Sequence, residues 1–136
     1  MSDAERLVRE TWERWNAGLR EGDPEVMDPE IEIHSQMTRT VYRGFDELPR
    51  WGKEIDEQFE SWRIDISEVR GLTDEKVLVL GEIHARGRHS GVDMEHPAAW
   101  IVELREGRIL RIRNFLGSDA ADAALAFADT GREPSA

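Results

Sequence analysis

The stretch Trp100–Leu116, WIVELREGRILRIRNFL, decides the fold because it predicts two antiparallel strands joined by a tight turn. The turn lies at Glu106-Gly107, and a two-residue loop at this point determines which side chains lie opposite one another. The pairs expected across the hairpin are Arg105 with Arg108, Glu103 with Leu110, Ile101 with Ile112 and Ala99 with Asn114. Because alternate residues of a strand point to opposite sides, this register assigns each side chain to one of two faces.

Both predicted faces of the hairpin carry many apolar side chains, so we expect both to be covered. One face has Ala99, Ile101, Glu103, Leu110, Ile112, Asn114 and Leu116, and the other has Ala98, Trp100, Val102, Leu104, Ile109, Arg111, Arg113 and Phe115. We expect the first face to form the floor of a pocket. The second is too apolar for the free surface of a monomer, and we expect it to be a homodimer interface. The residues assigned to this interface are Trp100, Val102, Arg113 and Phe115.

The composition describes one acidic domain without cysteine. The 136 residues suffice for a single core, which we place at 1–128, followed by a flexible tail at 129–136. A formal net charge of -11 disfavours nucleic-acid binding, and the absence of cysteine excludes disulfides, thiolate catalysis and cysteine-ligated zinc. The charged N-terminal stretch and the lack of a long apolar run favour a cytoplasmic protein that does not bind membranes.

Apolar periodicity predicts helices mainly early in the chain and strands mainly late. Helices are expected at 3–20, at 23–27, from Asp46 to about Phe59 and after Ser118, and strands at 30–37, 62–67, 76–86 and in both halves of the hairpin. Residues 38–44, which include Tyr42, are expected to form a loop. This order is typical of an α+β fold in which a curved antiparallel sheet wraps around amphipathic helices and leaves a cavity.

The order of segments resembles the SnoaL-like group of the nuclear-transport-factor-2-like (ketosteroid isomerase-like) superfamily. The segments that carry the resemblance are 12–23, 28–35, Tyr42-Arg43-Gly44 and 104–109. The resemblance implies a conical α+β barrel, a pocket between sheet and helices, and frequent dimerisation through the outer face of the sheet. The superfamily includes isomerases, cyclases, dehydratases, epoxide hydrolases and non-catalytic binders, so the fold alone does not determine the function.

The functional positions of the steroid isomerases are not preserved in this sequence. The resemblance places the base position at His34, the tyrosine position at Trp15 and the protonated aspartic acid at Ala99. Both donors of the oxyanion hole are therefore missing, which excludes isomerisation by that mechanism. An epoxide hydrolase of this fold needs an arginine and two carboxylates in the pocket, and only Glu103 can be assigned to such a position.

His34 is the leading candidate for a catalytic acid or base. Its side chain lies on the opposite face of a strand from Ile31 and Ile33, and the family register turns that face toward the pocket. An imidazole titrates near neutral pH and can transfer protons there. The alternative is a structural histidine that bonds to the backbone or is simply exposed.

Polar and aromatic residues complete the predicted ligand site. Asn114 either donates to a ligand carbonyl or satisfies backbone groups, and a dehydratase branch of the superfamily uses the residue types of His34, Tyr42 and Asn114 together. His84 joins this set in one of its two possible strand registers. The expected walls and floor are formed by Trp15, Trp51, Phe59, Ala99, Ile101, Ile112 and Leu116. Such walls favour a flat apolar ligand of polyketide, terpenoid or steroid type.

Two functions follow from the predicted site. The first is a cofactor-independent isomerase, cyclase or dehydratase that acts on an apolar ligand by proton transfer. The second is a non-catalytic protein that binds such a ligand in the same pocket. A dimeric adaptor protein has less support. No metal is expected, because the four histidines lack the spacing of a zinc site.

Overall fold

The computed structural model describes residues 2–19 and 22–130. Its elements are α1 (Asp3–Asn16), β1 (Met27–Ser35), β2 (Thr40–Arg43), α2 (Gly44–Gln58), β3 (Phe59–Thr73), β4 (Lys76–Gly87), β5 (Asp93–Arg105), β6 (Arg108–Leu116) and α3 (Ala120–Thr130). The fold is α+β, as the sequence predicts. Among the helices of the described residues, none is long and apolar enough to cross a membrane.

The six strands form one curved sheet in the order β2-β1-β6-β5-β4-β3. All neighbouring strands are antiparallel except β1 and β6, which run parallel. The sheet does not close into a barrel, since β2 and β3 are its two edges. The helices α1 and α2 pack on its concave face, and α3 packs on the opposite face.

The first helix begins and is buried as its sequence predicts. The Ser2 side chain caps it by accepting a hydrogen bond from the Glu5 N–H at 3.1 Å. Val8 and Trp12, four residues apart, are buried against the sheet. The helix ends at Asn16, earlier than the predicted residue 20, and Gly18 follows with φ of 88°.

Two short segments differ from the sequence prediction. The helix expected at 23–27 is a turn in which the Asp23 side chain accepts from the Glu25 N–H at 2.9 Å, and β1 already begins at Met27. Within the expected loop 38–44, β2 pairs with β1 and buries Tyr42 opposite Ile33. Both segments are short, so helical or strand periodicity is hard to recognise in them.

The C-terminal helix extends into the predicted tail. α3 includes residues 129 and 130, which belong to the flexible tail predicted at 129–136. The rest of that prediction, residues 131–136, lies outside the described residues.

The turn of the β5–β6 hairpin is as predicted, but its register changes two residues beyond the turn. Glu106 and Gly107 both have positive φ, 52° and 78°, as in a two-residue hairpin loop. Leu104 pairs with Ile109, whereas Glu103 pairs with Arg111, so Leu110 is an extra residue in β6. This β-bulge shifts the rest of β6 by one residue relative to β5.

The bulge reverses which residues of the two strands share a face. Val102 lies opposite Ile112 and Trp100 opposite Asn114, and these four side chains are on the concave face. Ala99, Ile101, Arg113 and Phe115 lie on the outer face. The residues predicted to form one dimer interface are therefore divided between the two faces, because a shift of one residue moves each side chain to the other side of its sheet.

The outer face of the hairpin is covered by the protein's own third helix. Phe115 lies with its ring centroid 5.8 Å from that of Phe127, and the Arg113 guanidinium lies 4.4 Å from the Phe127 ring centroid. Ala120 and Ala124 complete the buried contact between α3 and the sheet. The apolar character that suggests a dimer interface is thus accounted for within one chain, and the homodimer itself stays a prediction.

The close approach of β3 and β4 at Gly81 gives a test of the sheet register. A Cβ atom at Gly81 would collide with the backbone carbonyl oxygen of Asp65, which cannot move without disturbing the ladder. We expect Gly81→Ala to lower the free energy of unfolding in urea by about 1–3 kcal/mol, as overpacked core sites do. Gly71→Ala is the control, because its Cβ would meet only the flexible Glu5 carboxylate at 3.3 Å. Equal stability of the two variants would contradict this close approach.

Candidate functional site

A cavity lies between the concave face of the sheet and the helices α1 and α2. Its volume is about 70 Å³, and its exposed lining residues, Arg14 and Leu19, lie near the end of α1 and mark its opening. Since one water needs roughly 10–15 Å³, the enclosed part holds several waters or one small ring system. Leu19, at the opening, is 60% exposed, which is unusual here for a large apolar side chain.

All five tryptophans of the chain line this one cavity. They are Trp12, Trp15, Trp51, Trp62 and Trp100. The other lining residues are Thr11, Arg14, Leu19, Asp23, Val26, Met27, Ile33, Ser35, Met37, Leu48, Ile55, Ile64, Ile83, Ile112 and Asn114. The interior is therefore mostly aromatic and aliphatic, as is usual in small-molecule sites.

The aromatic side chains support one another through ring contacts. Trp15 from α1 stacks on Trp51 from α2 with ring centroids 4.2 Å apart and planes at 25°. Trp12 meets the Trp100 ring edge-on, at 5.7 Å and 78°. Such aromatic pairs contribute about 0.5–1.5 kcal/mol beyond the burial of their surface. The walls of the cavity are therefore held in defined positions by both helices and by the sheet.

Asn114 lines the cavity and also fixes one of its walls. With the amide in the orientation that satisfies its hydrogen bonds, Oδ1 accepts from Trp100 Nε1 at 3.2 Å and from the Phe115 N–H at 3.1 Å. The sequence leaves open whether this amide serves a ligand or the protein. The structure assigns its oxygen to the protein, where Asn114 positions the Trp100 ring.

Few other polar groups line the cavity. Ser35 is buried and its oxygen accepts from the Thr38 N–H at 3.3 Å, while the Thr11 hydroxyl donates to the Leu7 carbonyl at 2.8 Å. At the opening, Arg14 Nη1 lies 2.8 Å from the Asp23 carboxylate. The hydrogen bond from Arg14, together with the Glu25 N–H, holds the pKa of Asp23 below its usual value.

His34 does not face the cavity, contrary to the prediction from the family register. Its neighbours Ile33 and Ser35 line the cavity, so alternation places His34 on the outer face. There Nε2 bonds to the Glu32 carboxylate at 2.8 Å, and Glu32 also accepts from Arg111 at 3.2 Å. These two partners, His34 first, hold the pKa of Glu32 below its usual value. The predicted placement of a catalytic histidine in the pocket is wrong.

Tyr42 and Phe59 lie behind the cavity walls rather than in them. The Tyr42 ring is buried 6.2 Å from the Trp51 ring, and its hydroxyl donates to the Glu54 carboxylate and lies 2.9 Å from the Thr38 hydroxyl. Burial, followed by the nearby Glu54 carboxylate, raises the pKa of Tyr42. Phe59 packs on Trp62, with ring centroids 5.2 Å apart. Both residues therefore support lining tryptophans without lining the cavity themselves.

Three expected floor residues also lie outside the lining. Ala99 and Ile101 are buried beneath α3 on the outer face, because the bulge at Leu110 shifts the hairpin register. Leu116 packs against the concave core at the end of β6, beyond the cavity. Of the predicted ligand residues, Trp15, Trp51, Ile112 and Asn114 line the cavity.

His84 lies on the outer face of β4 among carboxylates. Nε2 is 3.1 Å from Asp65, and Nδ1 is 3.4 Å from Glu95. Ligand atoms of His84, Glu82 and Glu95 lie within 4.8 Å of one another, the one such group among the described residues. His84 and Glu82 are partly exposed and Glu95 is exposed, and the cluster is separated from the cavity by the sheet. His84 therefore does not join Asn114 in a common site.

Trp12, Trp62 and Trp100 line the cavity as well, although their sequence positions alone do not mark them as cavity residues. Trp12 precedes Trp15 by three residues on α1, a spacing that places both on one helix face. Trp62 and Ile64 alternate on β3, as do Trp100 and Val102 on β5. These patterns identify buried faces, and only the three-dimensional packing shows that the faces meet around a cavity.

The contact between Asn114 and Trp100 can be tested by a double-mutant cycle. We expect Asn114→Ala to reduce the free energy of unfolding by about 1–3 kcal/mol, because it leaves the Trp100 N–H and the Phe115 N–H without their acceptor. In a Trp100→Phe background the same change should cost less, since the indole donor is already absent. Additive effects in urea unfolding would contradict the hydrogen bond.

Comparison with known proteins agrees with this architecture. A candidate SnoaL-like polyketide cyclase from Jannaschia sp. CCS1 superposes with a TM-score of 0.71 at 18% identity, covering 91% of this chain and 92% of that one. An NTF2-like protein of unknown function from Burkholderia pseudomallei K96243 gives 0.74 at 18% identity, covering 84% and 90%. TerC, crystallised with polyporic acid, gives 0.74 at 14% identity, covering 94% and 97%.

These structural similarities, all below 25% identity, establish the fold. No curated protein sequence matches the chain. Residues 8–112, which run from α1 to the middle of β6, match the SnoaL-like domain. Since this match covers most of the sequence, the chain belongs to the SnoaL-like domain family.

Proposed function

We propose that this protein binds a flat, largely apolar small molecule between its helices and its sheet, and that it does so without catalysing proton transfer. The observation that carries the proposal is the convergence of all five tryptophans on one cavity. Tryptophan is rare and large, and five independent core positions would not be expected to meet around the same space. Flat ligands gain most from such walls because indole rings contact them face to face or edge to face.

The charges of the lining favour binding over proton transfer. Among the described lining residues only Arg14 and Asp23 are titratable, and they are paired with each other at the opening. The lowered pKa of Asp23 makes its carboxylate a weak base. His34, the expected acid or base, is on the other side of the sheet. An isomerase, cyclase or dehydratase would lack its proton carrier in this cavity.

The ligand class follows from the cavity and from the relatives. The narrow apolar interior favours a ring system over sugars or nucleotides, which need many polar partners. Among the structural neighbours, one is named as a candidate polyketide cyclase and another was crystallised with polyporic acid. We therefore infer an aromatic molecule of polyketide type, of which a single ring system enters the enclosed part and the remainder extends through the opening.

Binding can be followed directly at the cavity walls. Titration with 1-indanone, a small flat ring system, should move the five indole N–H signals in ¹H–¹⁵N NMR spectra in a saturable manner. Trp51→Ala should raise the Kd about tenfold, because it removes the ring that stacks on Trp15 and one wall of the cavity.

His34→Ala is the matched control for the wall variant. It removes an aromatic ring from the outer face, away from the cavity, so the Kd for 1-indanone should stay within about twofold of the wild-type value. The proposal is contradicted if no indole signal moves, or if His34→Ala weakens binding as much as Trp51→Ala. Turnover of any cyclisation substrate that depends on His34 would instead support the catalytic alternative.

The affinity for an uncharged ligand should not depend on pH near neutrality. A carboxylate whose folded pKa is lowered stays ionised above its usual pKa, and its contribution is lost only as the pH falls through the lowered value. Asp23 therefore keeps its charge between about pH 5 and 8. The Kd for 1-indanone should be constant over this range, whereas a histidine in the cavity would produce a transition near pH 6–7. Such a transition would contradict the assignment of the lining.

A further inference from the structure

We propose that the ligand of this cavity presents hydrogen-bond acceptor oxygens, of ketone or quinone type, to tryptophan N–H groups. This inference rests on the proposed function, because it specifies the chemistry of the molecule bound in the same cavity. It starts from the polar atoms of the lining rather than from its apolar walls.

Three of the lining indoles have donors without acceptors. The Nε1 atoms of Trp12, Trp51 and Trp62 are buried, and no described residue accepts a hydrogen bond from them. Buried polar groups are almost always paired in folded proteins, so three unpaired donors of one type around one cavity require an explanation. Trp100 differs from these three tryptophans, because its N–H donates a hydrogen bond to the Asn114 oxygen.

The amide and carboxylate acceptors of the lining already accept hydrogen bonds from protein groups. The Asn114 oxygen is bonded to Trp100 and Phe115, and the Asp23 carboxylate to Arg14 and the Glu25 N–H. Ser35 accepts from the Thr38 N–H, and among the described residues nothing takes its hydroxyl proton. The cavity therefore has spare donors and few spare acceptors. A complementary ligand carries acceptors, and its oxygens need not carry protons.

The cavity is small, so we expect a bound ring system to widen it. The three nitrogen atoms are covered by neighbouring side chains, and the enclosed volume is about 70 Å³. A ring system larger than this volume must move the indoles apart, and the proposed contact requires that this movement exposes at least one of the three N–H groups to the ligand. An oxygen at the ring edge would then satisfy a donor that has no acceptor among the described residues, whereas a hydrocarbon would leave it without one.

A matched pair of probes isolates the oxygen. 1-Indanone and indane share the same two fused rings, and only the first carries a carbonyl. We expect 1-indanone to bind at least about fivefold more tightly, which corresponds to one net hydrogen bond. Its binding should move the N–H resonance of Trp12, Trp51 or Trp62 downfield, as hydrogen bonding does, while indane should not.

Phenylalanine variants identify the donor. Trp12→Phe, Trp51→Phe and Trp62→Phe each remove an N–H and retain an aromatic ring, and the variant of the shifted residue should lose the preference for 1-indanone about fivefold. Trp100→Phe is the matched control, because it removes the same volume but a donor that Asn114 already occupies. It should change the affinity for both probes equally.

The outcomes separate this inference from the proposed function. If indane binds as tightly as 1-indanone, or if the preference survives in all three variants, the inference is overturned and the binding function stands. If neither probe moves any indole signal, both fail together. A preference for 1-indanone that disappears only in Trp100→Phe would also overturn the assignment of the donors.

Discussion

The concave face depends on one extra residue in β6. The bulge at Leu110 places two residues of this strand against one of β5 and advances the remainder of the strand by one position. As a result Trp100 and Val102 share the concave face with Ile112 and Asn114. Without the bulge, Trp100 would point away from Asn114, and neither the edge contact with Trp12 nor the hydrogen bond to Asn114 could form.

The two faces of the sheet therefore carry different kinds of side chain. The tryptophans lie at the concave face. A cavity remains there because the bulky, flat side chains of two helices do not fill the space over the curved sheet. The outer face is divided between an apolar part, covered by α3, and charged rows such as that of Glu32, His34 and Arg111. These ionic groups stay on the solvent side, where their desolvation costs little, and the cavity stays apolar.

The sequence predicts the turn, the element order and the amphipathic helices, because each depends on local signals such as Glu106-Gly107 or the spacing of Trp12 and Trp15. It does not predict the bulge, since apolar residues occur on both faces of the hairpin and alternation fits either register. The assignments of Ala99, Ile101 and Trp100 depended on that register and are therefore reversed. The assignment of His34 to the pocket has a similar cause. Alternation correctly places His34 and Ile33 on opposite faces of β1, but it does not show which of the two faces is concave.

The polar groups of the cavity can stabilise a carbonyl oxygen of a ligand, but forming an enolate from that carbonyl needs a further group. Indole N–H groups and the Ser35 hydroxyl can bind a carbonyl, and donors of this kind also stabilise an enolate once it has formed. Forming the enolate requires a base that removes a proton from carbon, and the only carboxylate of the described lining is held by Arg14 at the opening. On the proposed function, donors without a base would bind a carbonyl compound and leave it unchanged.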